Sequence, residues 1–90
     1  MNKDFFSSLD QRREDFAGRV DAPSVAVDVA LHSGRVIKVE SVTEAAEGFL
    51  QIDGVDRNDL ETPLSVAVPY HQIASVVFVK ERPRMGRAGF

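Results

Sequence analysis

The spacing of apolar residues along this chain changes once, near Pro23, and divides it into a helical start and a β-rich remainder. Before that point Phe5, Phe6, Leu9, Phe16 and Ala17 fall close to one stripe at a period of 3.6 residues, while Asp10, Gln11, Arg12, Glu14 and Asp15 lie mostly elsewhere. This predicts an amphipathic helix over about residues 3–18. Asn2 is placed to cap it, and a later start at Ser8 is an alternative, since Ser8-Leu9-Asp10-Gln11 fits a capping box. Gly18 is a natural C-terminal stop, and Pro23 keeps the helix from resuming.

After Pro23 the period becomes two. Val25, Val27, Val29 and Leu31 alternate with Ala26, Asp28, Ala30 and His32, which predicts a half-buried strand over 25–32. Ser33-Gly34 supplies a tight turn, with Gly34 taking the positive φ such turns require. A second strand over 35–43 is rich in β-branched residues, and a third over 48–53 carries Phe49, Leu50 and Ile52. Asp53-Gly54 is a turn signal, so Val55 to Pro63, with Asp56, Arg57, Asn58, Asp59 and Glu61, reads as a surface loop. A fourth strand over 64–69, a short bend at Pro69-Tyr70-His71-Gln72 and a fifth strand over 73–80 complete the pattern, and Pro83 limits the last strand. Residues 1–82 then form a single domain, and 83–90 a flexible basic tail.

The last two strands do not alternate. Leu64, Val66, Ala67 and Val68, and Ile73, Val76, Val77, Phe78 and Val79, place apolar groups on both faces. A strand apolar on both sides is usually covered on both sides, and the helix spans only part of a small sheet. Leu64, Val66, Val68, Ile73, Val77 and Val79 are therefore the candidate oligomer interface.

One helix followed by five short strands, the last two joined by a very short bend, is the element order of the Sm-like family. Leu31-His32-Ser33-Gly34-Arg35-Val36 resembles that family's first hairpin, and Val68-Pro69-Tyr70-His71-Gln72-Ile73-Ala74-Ser75-Val76 resembles its second motif, with a likeness to the bacterial Hfq branch at Tyr70-His71. The resemblance covers about residues 4–80. It implies a mainly β fold, a five-stranded, strongly bent antiparallel Sm-like (SH3-like) small barrel behind an N-terminal α-helix. It implies a homo-oligomeric ring, a hexamer or heptamer joined through the fourth strand of one subunit and the fifth of the next. It also implies single-stranded RNA as a partner. The chain departs from the family's pattern at Val39, where a Gly is usual. Thr43 to Phe49 lacks the usual Asp and Asn of the base pocket, and Pro69-Tyr70 stands in place of an Arg-Gly pair.

Charge and residue chemistry narrow the functional classes. Residues 1–79 carry 7 basic and 13 acidic side chains, while 80–90 carry Lys80, Arg82, Arg84 and Arg87 against Glu81. The acidic body repels a phosphate backbone and the basic end attracts one. With no cysteine there is no disulfide, zinc finger or thiol chemistry to expect. Two histidines, His32 and His71, without a placed carboxylate do not make a metal site, and the acidic residues Asp53, Asp56, Asp59 and Glu61 lack the spacing of a calcium loop. Neither a catalytic motif nor a cofactor-binding motif is present, so an enzyme is not expected. No stretch is apolar enough to span a bilayer or direct secretion, which makes a cytoplasmic location the expectation.

The candidate nucleic-acid contacts are Tyr70, His71 and Gln72 at the bend, where rings stack bases, with Lys80, Arg82, Arg84 and Arg87 gripping phosphates. The competing reading of Tyr70 has it packed under the helix with its hydroxyl on a backbone partner. Arg12, Arg13 and Arg19 form either an RNA-facing patch or, with Asp10, Glu14 and Asp15 between them, surface ion pairs. Two functions follow: a ring that binds single-stranded RNA, or an oligomeric structural or protein-interaction module on an Sm-like scaffold without a conventional RNA pocket.

Overall fold

The structure is a computed structural model that describes residues 2–81. Arg82, Arg84 and Arg87 lie outside the described residues.

The N-terminal helix is broken in two, α1 over Lys3–Ser7 and α2 over Leu9–Val20. The Asn2 side chain accepts from the amides of Asp4 (3.0 Å) and Phe5 (3.2 Å), satisfying two of the free donors at the start of α1. Ser8 makes the break, and the capping box does not form. Its hydroxyl turns back to donate to the carbonyls of Asp4 (3.3 Å) and Phe5 (3.1 Å), which is how serine competes with helical hydrogen bonding. The change of direction lets Phe6 and Leu9 both enter the core. α2 runs past Gly18 and stops where Asp21 adopts the left-handed conformation (φ 53°, ψ 50°). The Ala22 amide then donates to the Ala17 carbonyl, satisfying one of the last free acceptors.

Five strands follow: β1 (Val25–Leu31), β2 (Val36–Ala45), β3 (Phe49–Asp56), β4 (Asp59–Pro69) and β5 (Ile73–Lys80), with a 3₁₀ turn at Tyr70–Gln72 before β5. All pairings are antiparallel, in the order β4-β3-β2-β1-β5. The fold is thus mainly β, with a helical N-terminus and five antiparallel strands. The sheet is not closed. β4 and β5 do not pair with each other, so the barrel implied by the family resemblance is not completed within one chain.

The stretch expected as a loop, Val55 to Pro63, is instead a hairpin. β3 continues to Asp56, only Arg57 and Asn58 turn, and β4 begins at Asp59. The Asp56 carboxylate accepts from the Asn58 amide (2.8 Å), and the Arg57 amide donates to the Val36 carbonyl (2.9 Å), which fixes the turn against β2. Polar residues are tolerated here because β4 is an edge strand with its early residues in solvent.

One face of the sheet holds the core. Val27, Val29, Ile37, Leu50 and Ile52 are fully buried, and Val39, Val68, Ile73, Phe6 and Leu9 nearly so. Burying such a side chain is worth about 1.5–3 kcal/mol, and this cluster ties both helices to all five strands. Register shifts near Glu40 and Thr43 in β2 interrupt the ladder with β3. Gly54 lies opposite Val39, where β2 approaches so closely that a Cβ would sit 2.1 Å from the Lys38 carbonyl oxygen.

Candidate functional site

Tyr70, His71 and Gln72 form the 3₁₀ turn between the edge strands β4 and β5. The turn is tied to the β1–β2 hairpin, since the His32 amide donates to the Gln72 carbonyl (2.9 Å) and Leu31 pairs with Ile73. Gly34 completes that hairpin at φ 99°, as the sequence requires. His32, His71 and Gln72 are exposed at this end of the sheet. Tyr70 is half-buried. Its ring stacks on Phe6 (centroids 5.8 Å, 17° between planes), and its hydroxyl donates to the Ala46 carbonyl at 2.6 Å. Burial raises the Tyr70 pKa above its ordinary 10.0, so the hydroxyl remains a donor throughout the neutral range.

The aromatic contacts continue into the helices. Phe6 meets Phe5 edge to face (5.0 Å), and the Arg12 guanidinium lies 4.6 Å over the Phe5 ring. Arg19 lies over Phe16, and Arg13 pairs with Asp10. Each of the three helix arginines thus has an acceptor or aromatic partner on the helices.

Lys80 is exposed at the far end of β5. At about 3.3 Å per residue, the eight residues from Gln72 to Lys80 separate it from the bend by about 25 Å. The bend and the described part of the basic end are therefore not one cluster.

The six interface candidates divide. Val68 (2% exposed) and Ile73 (7%) belong to the protomer's own core, and what they can offer a partner is backbone. Leu64 and Val66 are half-covered at the β4 edge, while Val77 (47%) and Val79 (39%) stand in solvent on β5. From Ile73 to Val79 no residue of this edge carries a charge. On β4 the charge-free segment is Leu64 to Val68, bracketed by Pro63 and Pro69, which lack the amide that a further strand would bond.

A second feature has no local signal in the sequence. Asp28 on β1 takes the Arg57 guanidinium of the β3–β4 turn, with both groups largely covered. Beside them Lys38 of β2 meets Glu81 at 2.9 Å, and the Ser24 hydroxyl donates to Glu81 at 2.9 Å. The hydrogen bonds from Lys38 and Ser24 hold the Glu81 carboxyl below its ordinary 4.5. Two cations and two anions cancel here, so the cluster clamps the strands and presents no net charge to a ligand.

Two of the acidic residues in the expected loop serve the hairpin. Asp56 faces Arg35 at 3.7 Å, and Asp59 accepts from the Thr62 hydroxyl and the Glu61 amide. Among the described residues no three His, Cys, Asp or Glu side chains come together as a metal site. No described helix is long and apolar enough to cross a membrane.

No protein-family model, curated protein or solved structure matches the chain.

Proposed function

We propose that this chain is a self-assembling Sm-like module, its copies joined head to tail by β4 of one against β5 of the next until a hexamer or heptamer closes. One observation carries this reading: among the described residues the sheet ends in two strands with one open edge each, and both are apolar and uncharged along the segments that would meet. A long apolar edge invites indiscriminate pairing, and natural sheets normally blunt it with charge or proline. Here proline limits the open part of β4 to five residues, Leu64 to Val68. Leu64 and Val66 share the core face of β4, as Val76 and Phe78 share that of β5, so pairing the edges continues one core into the next copy. The role is structural or protein-binding. The Tyr70 hydroxyl has a backbone partner and its ring rests on Phe6, which leaves it less to give a base.

A second reading, single-stranded RNA held at the bend, is favoured by the exposure of His71 and Gln72 beside His32. Imidazole and amide groups at such a place suit stacking and base-edge hydrogen bonds.

Size-exclusion chromatography with light scattering and a full absorbance spectrum tests both. The assembly gives one species of six or seven chains, and Val77→Asp converts it to a monomer with unchanged far-UV circular dichroism, since Val77 is exposed in the protomer. A wild-type chain that scatters as a monomer at every concentration overturns the assembly. With no Trp and only Tyr70, the protein absorbs weakly at 280 nm, so nuclease-sensitive absorbance at 260 nm in the ring fraction identifies bound RNA. A ring without it leaves the structural role.

A further inference from the structure

A groove of about 420 Å³ lies beside β4, lined by Glu40, Asp53, Gly54, Pro63, Leu64 and Ser65. The ladder explains why two carboxylates meet there. Ile52 and Gly54 face the core, so Asp53 between them points outward, opposite Ser65. Val39 pairs with Gly54 and Ser41 with Asp53, so Glu40 is the unpaired residue of a bulge and is exposed. Among the described residues neither carboxylate has a cation within 4.0 Å. Pro63, which pairs with Val55 and so shares the side of Asp53 and Ser65, gives the groove an apolar wall.

The chain also contains a segment of complementary chemistry. After Glu81 come Arg82, Pro83, Arg84, Met85, Gly86, Arg87, Ala88, Gly89 and Phe90, with three cations, no acid and two large apolar groups. Its starting point is fixed on the same face. The Glu81 amide donates to the Ser24 carbonyl (3.0 Å), and the Glu81 carboxylate holds Lys38 of β2, two residues before Glu40. With strands about 4.8 Å apart, β3 lies about 14 Å from β5. Nine extended residues span about 30 Å.

We propose that this groove is the docking surface for the chain's own C-terminal segment, with Arg82 and Arg84 on Glu40 and Asp53 and the later apolar residues against Pro63. Exposed ion pairs are individually weak and screened by salt. The tether compensates, because it presents the segment at an effective concentration on the order of millimolar. While docked, the arginines are withheld from phosphate, so an anionic partner has to displace them from the groove. The inference does not depend on the assembly proposed above.

The chain has no cysteine, so Ala88→Cys carries a single nitroxide label. In ¹⁵N-labelled protein at low salt, the Gly54 and Ser65 amides lose most of their intensity. They recover it at high salt and in Glu40→Gln/Asp53→Asn. Arg82→Gln/Arg84→Gln removes the same attraction without touching the sheet and gives the same recovery. Intensities unaffected by the label, or a loss that persists in the arginine variant, overturn the proposal. Mixing nitroxide-labelled chain with separate ¹⁵N chain tests the source. Broadening in that mixture assigns the groove to a neighbour's segment and overturns docking of the chain's own.

Discussion

Gly54→Ala places a methyl carbon where the backbone of β2 already stands. A Cβ at this position lies 2.1 Å from the Lys38 carbonyl oxygen, 3.0 Å from its carbonyl carbon and 3.2 Å from the Val39 Cα. All three are main-chain atoms, so no rotamer change relieves the overlap. Non-bonded atoms settle at about 3.5 Å or more, which means that β2 and β3 must part by more than about 1 Å. That displacement strains the packing of Ile37, Val39 and Ile52, all buried beside it, for which overpacking costs about 1–3 kcal/mol. It also stretches the ladder, where a lost hydrogen bond adds about 0.5–1.5 kcal/mol. The sum, about 1.5–4.5 kcal/mol, is a large share of the roughly 5–15 kcal/mol that holds a small domain folded. Urea unfolding followed by far-UV circular dichroism measures it. Gly48→Ala is the control, since nothing lies within 4 Å of a Cβ there, and it should stay within about 0.5 kcal/mol of wild type. A Gly54→Ala chain as stable as that control, with an unchanged slope against urea, refutes the close approach of β2 to β3 and the bulge beside it.

Two further predictions concern the bend and the charged cluster. Tyr70→Phe keeps the stack on Phe6 but removes the 2.6 Å bond to Ala46, so thermal stability should fall by about 0.5–1.5 kcal/mol, or several degrees. An unchanged melting temperature would free the hydroxyl for a ligand. Glu81 is held below 4.5 in the folded state, so its contribution is complete above that value and is lost as pH falls through the folded-state pKa. Lys38→Met removes the largest cause of the shift. Urea midpoints of the two chains should differ at neutral pH and converge in acid, and a gap that stays constant across the titration contradicts the cluster.

Much of the fold was legible because it is local. Alternation at Val25, Val27 and Val29 marks β1, the run from Ile73 marks β5, and Gly34 marks the hairpin between β1 and β2. The N-terminal break was less so. A capping box at Ser8 and a continuous helix through it fit the same residues, and the hydroxyl's return to Asp4 and Phe5 decides between them. The β3–β4 hairpin was misread because Asp56, Arg57, Asn58, Asp59 and Glu61 have the composition of a loop. Composition reports solvent exposure, and an edge strand is exposed as well.

A helical start, a β-rich body, the turn at Gly34 and the short bend before the last strand are all legible from local sequence. Periodicity and turn chemistry depend on neighbours within a few residues, and these are written in order along the chain. Tertiary structure decided that the sheet stays open at β4 and β5, that Tyr70 gives its hydroxyl to Ala46, and that Ser24 meets Glu81. Those partners lie 24 and 57 residues apart. Which of many distant polar groups a side chain meets is set by strand order and register. Both follow from burying one apolar face as a whole, which no short stretch of sequence records.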